Sequence, residues 1–226
     1  MKRADCALVI AIVGAESSGK TTLARALQAR LTAIGLRAAL VDETLRAFCD
    51  RERRTPRHDE QAAIAAEHSQ RIADATREHD VVVADTTALM TAVYSEYLFG
   101  DASLHAAAAA AHRRSDLTLL TALDLPWRAD GLQRDGAHVR EPVDALVRAA
   151  LQRMGAPFSV VAGSGDARLD AAWRAVQRAL PAPPAADDDA RADRTTPALR
   201  WHCERCGDAA CERRLLLSSL LARQAA

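Results

Sequence analysis

Apolar residues in this chain fall into short, β-branched runs separated by longer stretches with helical spacing. Residues 7–13 read Ala-Leu-Val-Ile-Ala-Ile-Val, a run suited to a parallel strand buried on both faces. Residues 21–34 follow with Leu23, Leu27 and Leu31 on one helical stripe. Further strand runs are expected at 38–42, 81–85, 117–123 and 158–162, with helices at 60–78, 88–99, 104–114, 142–154 and 166–179. Such alternation predicts an α/β fold, a doubly wound parallel sheet covered by helices on both faces. Ligands bind beyond the strand C-termini of such sheets, which makes strand-ending residues the ones to inspect.

The pattern changes after Leu180. Residues 181–198 are rich in Pro, Ala and Asp with little to bury, and read as a linker between a domain spanning 1–180 and a tail spanning 199–226. The tail combines three cysteines with leucine-rich, helix-favouring sequence.

Composition narrows the function classes. The 30 basic and 30 acidic residues balance, which argues against nucleic acid as a partner. No segment approaches the ~20 apolar residues of a membrane span, and the first apolar run continues into a glycine-containing loop instead of a cleavage site. The expectation is a cytoplasmic protein whose five cysteines are reduced.

That loop carries the strongest chemical signal. Gly14-Ala-Glu-Ser-Ser-Gly-Lys-Thr21 fits the phosphate-binding pattern G-x-x-x-x-G-K-[ST], and it joins a predicted strand to a predicted helix, as that pattern requires. Gly14 and Gly19 let the backbone approach phosphates, whose charge is met by loop N–H groups and the helix N-terminus. Glu16, Ser17, Ser18 and Thr22 complete the expected nucleotide cradle, Lys20 reaches the β- and γ-phosphates, and the Thr21 hydroxyl ligates Mg²⁺. ATP and Mg²⁺ are the cofactors this implies.

Three strand ends supply further candidates. Asp85 closes the third strand, where an acidic residue reaches the Mg²⁺ shell; capping the next helix is the competing role. Glu43, with Arg46 one helical turn on, suits deprotonation of an acceptor hydroxyl and capture of a substrate oxygen; a solvated ion pair would leave the same pattern. After the fourth strand come Trp127, Arg128, Asp130 and Arg134, with Arg140 beyond. Arginines in a mobile segment over the phosphates would act as a lid in phosphoryl transfer, although a solvated arginine-rich surface reads the same way.

These stretches together resemble the ribosylnicotinamide kinase domain of the bacterial NadR proteins, a group among phosphate-loop kinases and AAA-type ATPases. The resemblance rests on residues 14–23, on Asp42-Glu43 with Arg46, on Asp85-Thr-Thr with Thr91 and Tyr94-Ser-Glu-Tyr-Leu-Phe-Gly100, on Asp124-Leu-Pro-Trp-Arg-Ala-Asp-Gly131, and on Gly163 with Arg168. It covers residues 7 to about 180. It implies ATP-dependent phosphorylation of the 5′-hydroxyl of nicotinamide riboside. In that reading Lys20, Thr21 and Asp85 serve ATP and metal, with Gly163 and Arg168 on the adenine side. Glu43 and Arg46 lie at the acceptor, Trp127 and Asp130 grip the nucleoside, and Arg128, Arg134 and Arg140 form the lid. Trp127 has a competing role as an aromatic anchor for its loop. Full NadR proteins carry an adenylyltransferase domain ahead of this one, and this chain begins almost at the first strand, so any such second activity is expected to be absent or encoded elsewhere. Thr44 stands where the family often has an aromatic, and His68 where it has a glutamine.

The tail holds Cys203-Glu-Arg-Cys206-Gly207, the spacing of a zinc half-site. Cys211 is a candidate third ligand, with His202, a residue of the main domain or a partner chain as options for the fourth; reduced thiols or a labile Cys203–Cys206 disulfide are the alternatives. A small-molecule nucleoside is the expected partner, with homo-oligomer formation an open expectation. A kinase for another nucleoside or nucleotide, and an ATP-binding regulatory sensor, are the competing functions.

Overall fold

Each apolar run becomes a strand because its alternate side chains find a helical layer on both sides of the sheet. The computed structural model of the protein describes residues 7–128 and 136–181. Its strands are β1 (Leu8–Val13), β2 (Ala38–Val41), β3 (Val81–Asp85), β4 (Leu117–Thr121) and β5 (Ser159–Val161). They form one sheet in the order β2-β3-β1-β4-β5, and all four pairings are parallel. The helices are α1 (Lys20–Ala33), α2 (Thr44–Glu52), α3 (Gln61–Ala75), α4 (Ala88–Phe99), α5 (His105–His112), α6 (Arg140–Arg153) and α7 (Gly165–Ala179).

Period-two geometry sends Ile10 and Ile12 of β1, Val81 and Val83 of β3 and Leu119 of β4 to one face, where they pack on α1 and α7. Val13 and Leu120 face the other way, against α4 and α6. Val9 and Val82 share that second face nearer the strand starts, under Ile72 of α3. Both faces are therefore dry, which is why the strands read as continuous apolar runs instead of alternating ones.

The expected strands all form, with β2 and β5 ending one residue and β4 two residues earlier than their apolar runs. Helices α3 and α5 end three and two residues earlier than expected, and two other helical segments differ in where or whether they start. Residues 44–52 form α2, which the sequence hides because only Thr44, Phe48 and Cys49 are buried, too few to make a stripe. Helix α6 begins at Arg140, two residues before Pro142, because proline is tolerated within a helix's first turn.

Chain order fixes the place of the site. The register pairs Ile12 of β1 with Asp85 of β3 and Val13 with Leu120 of β4. The loop after β1 therefore lies between the C-terminal ends of β3 and β4, at the point where the strand order reverses.

Candidate active site

Close packing against β4 dictates the shape of the loop at residues 14–21. Gly14 has φ 145°, and a Cβ there would lie 2.2 Å from Thr121 Oγ1. Thr121 donates to Val13 O at 3.2 Å and exchanges a 2.7 Å hydrogen bond with the Ser18 hydroxyl, which also reaches Ala15 O at 2.6 Å. Ser17 and Gly19 both have positive φ, 51° and 80°, so the loop curls its backbone and delivers Gly19 as the N-cap of α1. Lys20 Nζ donates to Ala15 O at 2.8 Å, drawn back across the loop it belongs to.

Asp85 lies beside this loop, 1% exposed. Its Oδ2 accepts the Thr21 hydroxyl at 2.5 Å, and its Oδ1 is buried without a hydrogen-bond partner. The competing capping role falls away, because Thr87 caps α4 by accepting from Leu89 N. A hydroxyl, a carboxylate and an unsatisfied carboxylate oxygen at a helix N-terminus form a hard-oxygen donor set that fits Mg²⁺ completed by phosphate oxygens and water. Among the described residues no three His, Cys, Asp or Glu side chains cluster as an all-protein metal site. The carbon backbone beyond Asp85 is unusual: Thr86 has φ 73°, a left-handed conformation that a β-branched residue rarely adopts.

On the β2 side of the loop opens a cavity of about 450 Å³ whose wall includes Glu16, Lys20, Glu43, Arg46, Tyr94 and Phe99. Glu43 occupies the N-cap position of α2 but makes no side-chain cap, and its carboxylate sits 3.8 Å from the Arg46 guanidinium. The pair is not a solvated surface bridge, since Glu43 is largely buried and both side chains line the cavity. Thr55, Pro56 and Arg57 supply another wall from the segment joining α2 to α3. That segment is stapled by Arg54, which grips both carboxylate oxygens of Glu60 at 2.6 Å while Glu60 accepts from Arg57 N. These bonds, Arg54's first, hold the Glu60 carboxyl down at about 2. His58 then bonds Asp101 at 2.8 Å and packs edge-on to Phe99, joining the segment to the end of α4. Cys49, Gln61, Met90 and Leu98 also reach this cavity. They escaped the sequence reading because they come from three helices and carry no motif.

The opposite side of the loop is organised by Arg168. Only 4% exposed, it donates to Ser18 O (2.7 Å), Gly163 O (2.7 Å), Ala122 O (3.2 Å) and Asp124 Oδ1 (2.8 Å). Partial burial would raise the Asp124 carboxyl, but bonds from Arg168 and Gly163 N outweigh it and hold the group below its ordinary value. Arg168 thus buttresses the phosphate loop from beneath, and with Gly19, Thr22, Leu125 and Gly165 it also borders a cavity of about 140 Å³ over the β4–β5 side.

The expected lid residues separate. Arg128 is tied to the loop, its N–H donating to Ser17 Oγ at 2.8 Å and its carbonyl accepting back at 3.2 Å. Arg140 is not in a lid segment: it opens α6, is 9% exposed, and buries Nε and one terminal nitrogen without partners. The flanking Val139 and Val143 belong to the core, and their packing draws Arg140 inward. Trp127, half-buried beside Arg128, is not in the wall of the 450 Å³ cavity, whose aromatic surface comes from Tyr94 and Phe99 instead. Asp130, Arg134, the linker beyond Pro181, and His202, Cys203, Cys206 and Cys211 with the rest of the tail lie outside the described residues. No helix among the described residues is long and apolar enough to cross a membrane.

No curated protein matches this sequence. By fold the chain is similar to a NadR protein solved in complex with NAD and AMP-PNP, with TM-score 0.59 and 19% identity over 76% of this chain and 49% of that chain. It is similar also to deoxyadenosine kinase from M. mycoides solved with product nucleotides (TM-score 0.54, 12% identity, 76% and 100% covered). Thymidylate kinase from Ehrlichia chaffeensis matches at TM-score 0.53 and 16% identity over 77% and 99% of the two chains. The chain spans about half the length of the NadR chain, and identities this low speak to the fold alone. The AAA domain family matches residues 9–168, a span that runs from β1 through the phosphate loop and Asp85 to Arg168, and the chain belongs to that family.

Proposed function

We propose that this protein is an ATP-dependent nucleoside kinase that phosphorylates the 5′-hydroxyl of nicotinamide riboside. The observation that carries the reading is the 450 Å³ cavity that begins at Lys20 of the phosphate loop and holds the Glu43–Arg46 pair on its far wall. Its volume lies within the ~300–1,000 Å³ of small-molecule sites, and its two aromatic side chains suit a planar base. A NadR structure in complex with NR, with TM-score 0.59 and 20% identity over 76% of this chain and 49% of that chain, adds support for the acceptor.

Each residue then has a task. Loop N–H groups and Lys20 hold the β- and γ-phosphates. Thr21 and Asp85 would hold Mg²⁺, which neutralises charge on the phosphates when bound. Glu43 accepts the proton of the acceptor hydroxyl as its oxygen bonds to the γ-phosphorus and the bond to the ADP oxygen breaks. Arg46 and Arg128 offer guanidinium groups to the acceptor and to the phosphates.

The test is ADP release with Mg·ATP in the presence of nicotinamide riboside and a panel of other nucleosides. Stimulation by nicotinamide riboside with formation of its mononucleotide is expected. Stimulation by deoxyadenosine or thymidine derivatives instead, which the likeness to deoxyadenosine and thymidylate kinases keeps open, would move the substrate and keep the mechanism. Unstimulated hydrolysis would replace the kinase by an ATP-binding sensor. Lys20→Ala should abolish transfer without altering the melting temperature.

A further inference from the structure

We infer that His68 is a positioning residue that ties the metal-side strand end to the acceptor-side strand end. It sits in α3, 2% exposed, away from both the phosphate loop and the cavity wall. Its Nε2 lies 3.1 Å from the carbonyl oxygen of Thr86, and its Nδ1 lies 2.9 Å from the hydroxyl of Thr44. Thr86 follows Asp85, and Thr44 follows Glu43, so one imidazole spans the two loops that deliver the proposed metal and acceptor carboxylates.

The bonds around the ring agree on one protonation state. A carbonyl oxygen only accepts, so Nε2 carries the hydrogen and donates it to Thr86. The Thr44 hydroxyl already receives Arg71 NH1 at 3.0 Å, and its own hydrogen is then free to point at Nδ1, the ring's acceptor. Arg71, one turn further along α3, also reaches Asp42 O at 3.3 Å, so the same helix face holds the end of β2 at two points. Burial, the largest influence on the ring, lowers its pKa and favours this neutral form, with the nearby Arg71 charge acting the same way.

Thr86 explains why such a tie is needed. Its positive φ is a strained conformation that persists only where neighbours over-determine it. Thr86 N–H donates to Ile12 O at 3.0 Å and Thr86 O accepts from His68, so the strained residue is held at both ends. In that pose Asp85 meets Thr21 and Thr87 caps α4. Without the His68 donor the strain can relax, and Asp85 is the residue that moves. The other arm acts on α2: Glu43 does not cap that helix, and the grip of His68 and Arg71 on Thr44 fixes its first turn, and with it Glu43 and Arg46, from behind.

Two conservative variants separate the arms. A glutamine amide reaches the Nε2 position and keeps the donor to Thr86 but not the bond to Thr44, whereas an asparagine amide ends near Nδ1 and keeps Thr44 but not Thr86. His68→Asn should reduce the Mg²⁺-dependent gain in ATP affinity about tenfold, with metal-free ATP affinity unchanged, as measured by calorimetry. His68→Gln should keep that gain and instead raise the acceptor KM about fivefold with kcat little altered, and Thr44→Val should do the same, non-additively with it. The acceptor arm rests on the kinase reading. The metal arm is read from nucleotide binding alone, so absence of any acceptor-stimulated turnover in the wild type would overturn the kinase reading while the calorimetry still decides the role of His68. A folded His68→Asn protein that retains the full Mg²⁺ gain overturns the inference. So does an equal loss of both readouts in the Asn and Gln variants that tracks their melting temperatures, which is the mark of a merely structural histidine. Should the Asn variant prove too unstable to assay, Gln and Thr44→Val decide the matter: both must show the KM-against-kcat split.

Discussion

Asp85 has one oxygen bonded to Thr21 and another buried with no partner, and that asymmetry separates binding of metal from binding of nucleotide. An unsatisfied carboxylate oxygen in a dry site is costly, and a divalent cation is the group that would use it. Asp85→Asn keeps the shape, removes the charge, and leaves the loop N–H groups untouched. It should therefore remove most of the Mg²⁺-dependent gain in ATP affinity, about tenfold or more, while metal-free ATP binds as before. Titrating ATP with and without Mg²⁺ checks this, and an unchanged Mg²⁺ effect would dismiss Asp85 as a ligand. Gly14 poses the complementary case. Its φ of 145° and the 2.2 Å approach of a Cβ to Thr121 mean that Gly14→Ala displaces the loop from β4. Weaker ATP binding with and without metal should result, and an unaffected affinity would refute the steric argument.

At the scale of elements, what could be read from the sequence divides along lines of locality. The phosphate loop was legible because all its chemistry lies in eight consecutive residues between a strand and a helix, and Asp85 because it closes a five-residue strand after four apolar residues. The cavity beside the phosphate loop was only half legible. Glu43 and Arg46 follow closely on a strand end, but Cys49, Gln61, Met90 and Leu98 are brought to it by α2, α3 and α4, one of which has no hydrophobic stripe to announce it. Arg168, expected on the adenine side by resemblance, has a further role that no motif announces: its guanidinium braces the phosphate loop, the end of β4 and the loop after β5. Arg168→Met should leave those carbonyls unpaired in a buried site and cost about 3 kcal/mol. Asp124→Asn should cost far less, because Asp124 is 36% exposed and solvent screens its charge. Urea midpoints of the two variants measure the difference, and equal losses would mean that Arg168 acts only through its ion pair.

For the whole molecule the same buried threonine–histidine bonding recurs on the far side of α4, and it sets the pH response of the fold. His112, 2% exposed, lies 3.0 Å from Thr87 Oγ1 and 3.0 Å from Thr118 Oγ1, linking α5 to the α4 cap and to β4. Burial pushes its pKa down to about 4, and His68 shifts in the same direction. A histidine buried in its neutral form takes up its proton in the unfolded chain first. Between the unfolded value near 6.5 and the folded value, the unfolded state therefore binds more protons, and stability falls as the pH is lowered through that window. From pH 6.5 to 5 the contribution of His112 amounts to about 2 kcal/mol. The depressed carboxyls of Glu60 and Asp101, both at about 2, act in a lower window: their bonds stabilise the fold above the ordinary carboxylate pKa and are lost as pH falls from about 4 toward 2. The histidines consequently govern the first phase of acid unfolding, before any of these carboxylates is protonated. In His112→Gln, urea midpoints measured at pH 7, 6 and 5 should start lower than in the wild type, through loss of a buried bond, and then decline less steeply. Parallel declines in the two proteins would mean that His112 does not titrate on unfolding and that the acid response comes from other groups, His68 among them.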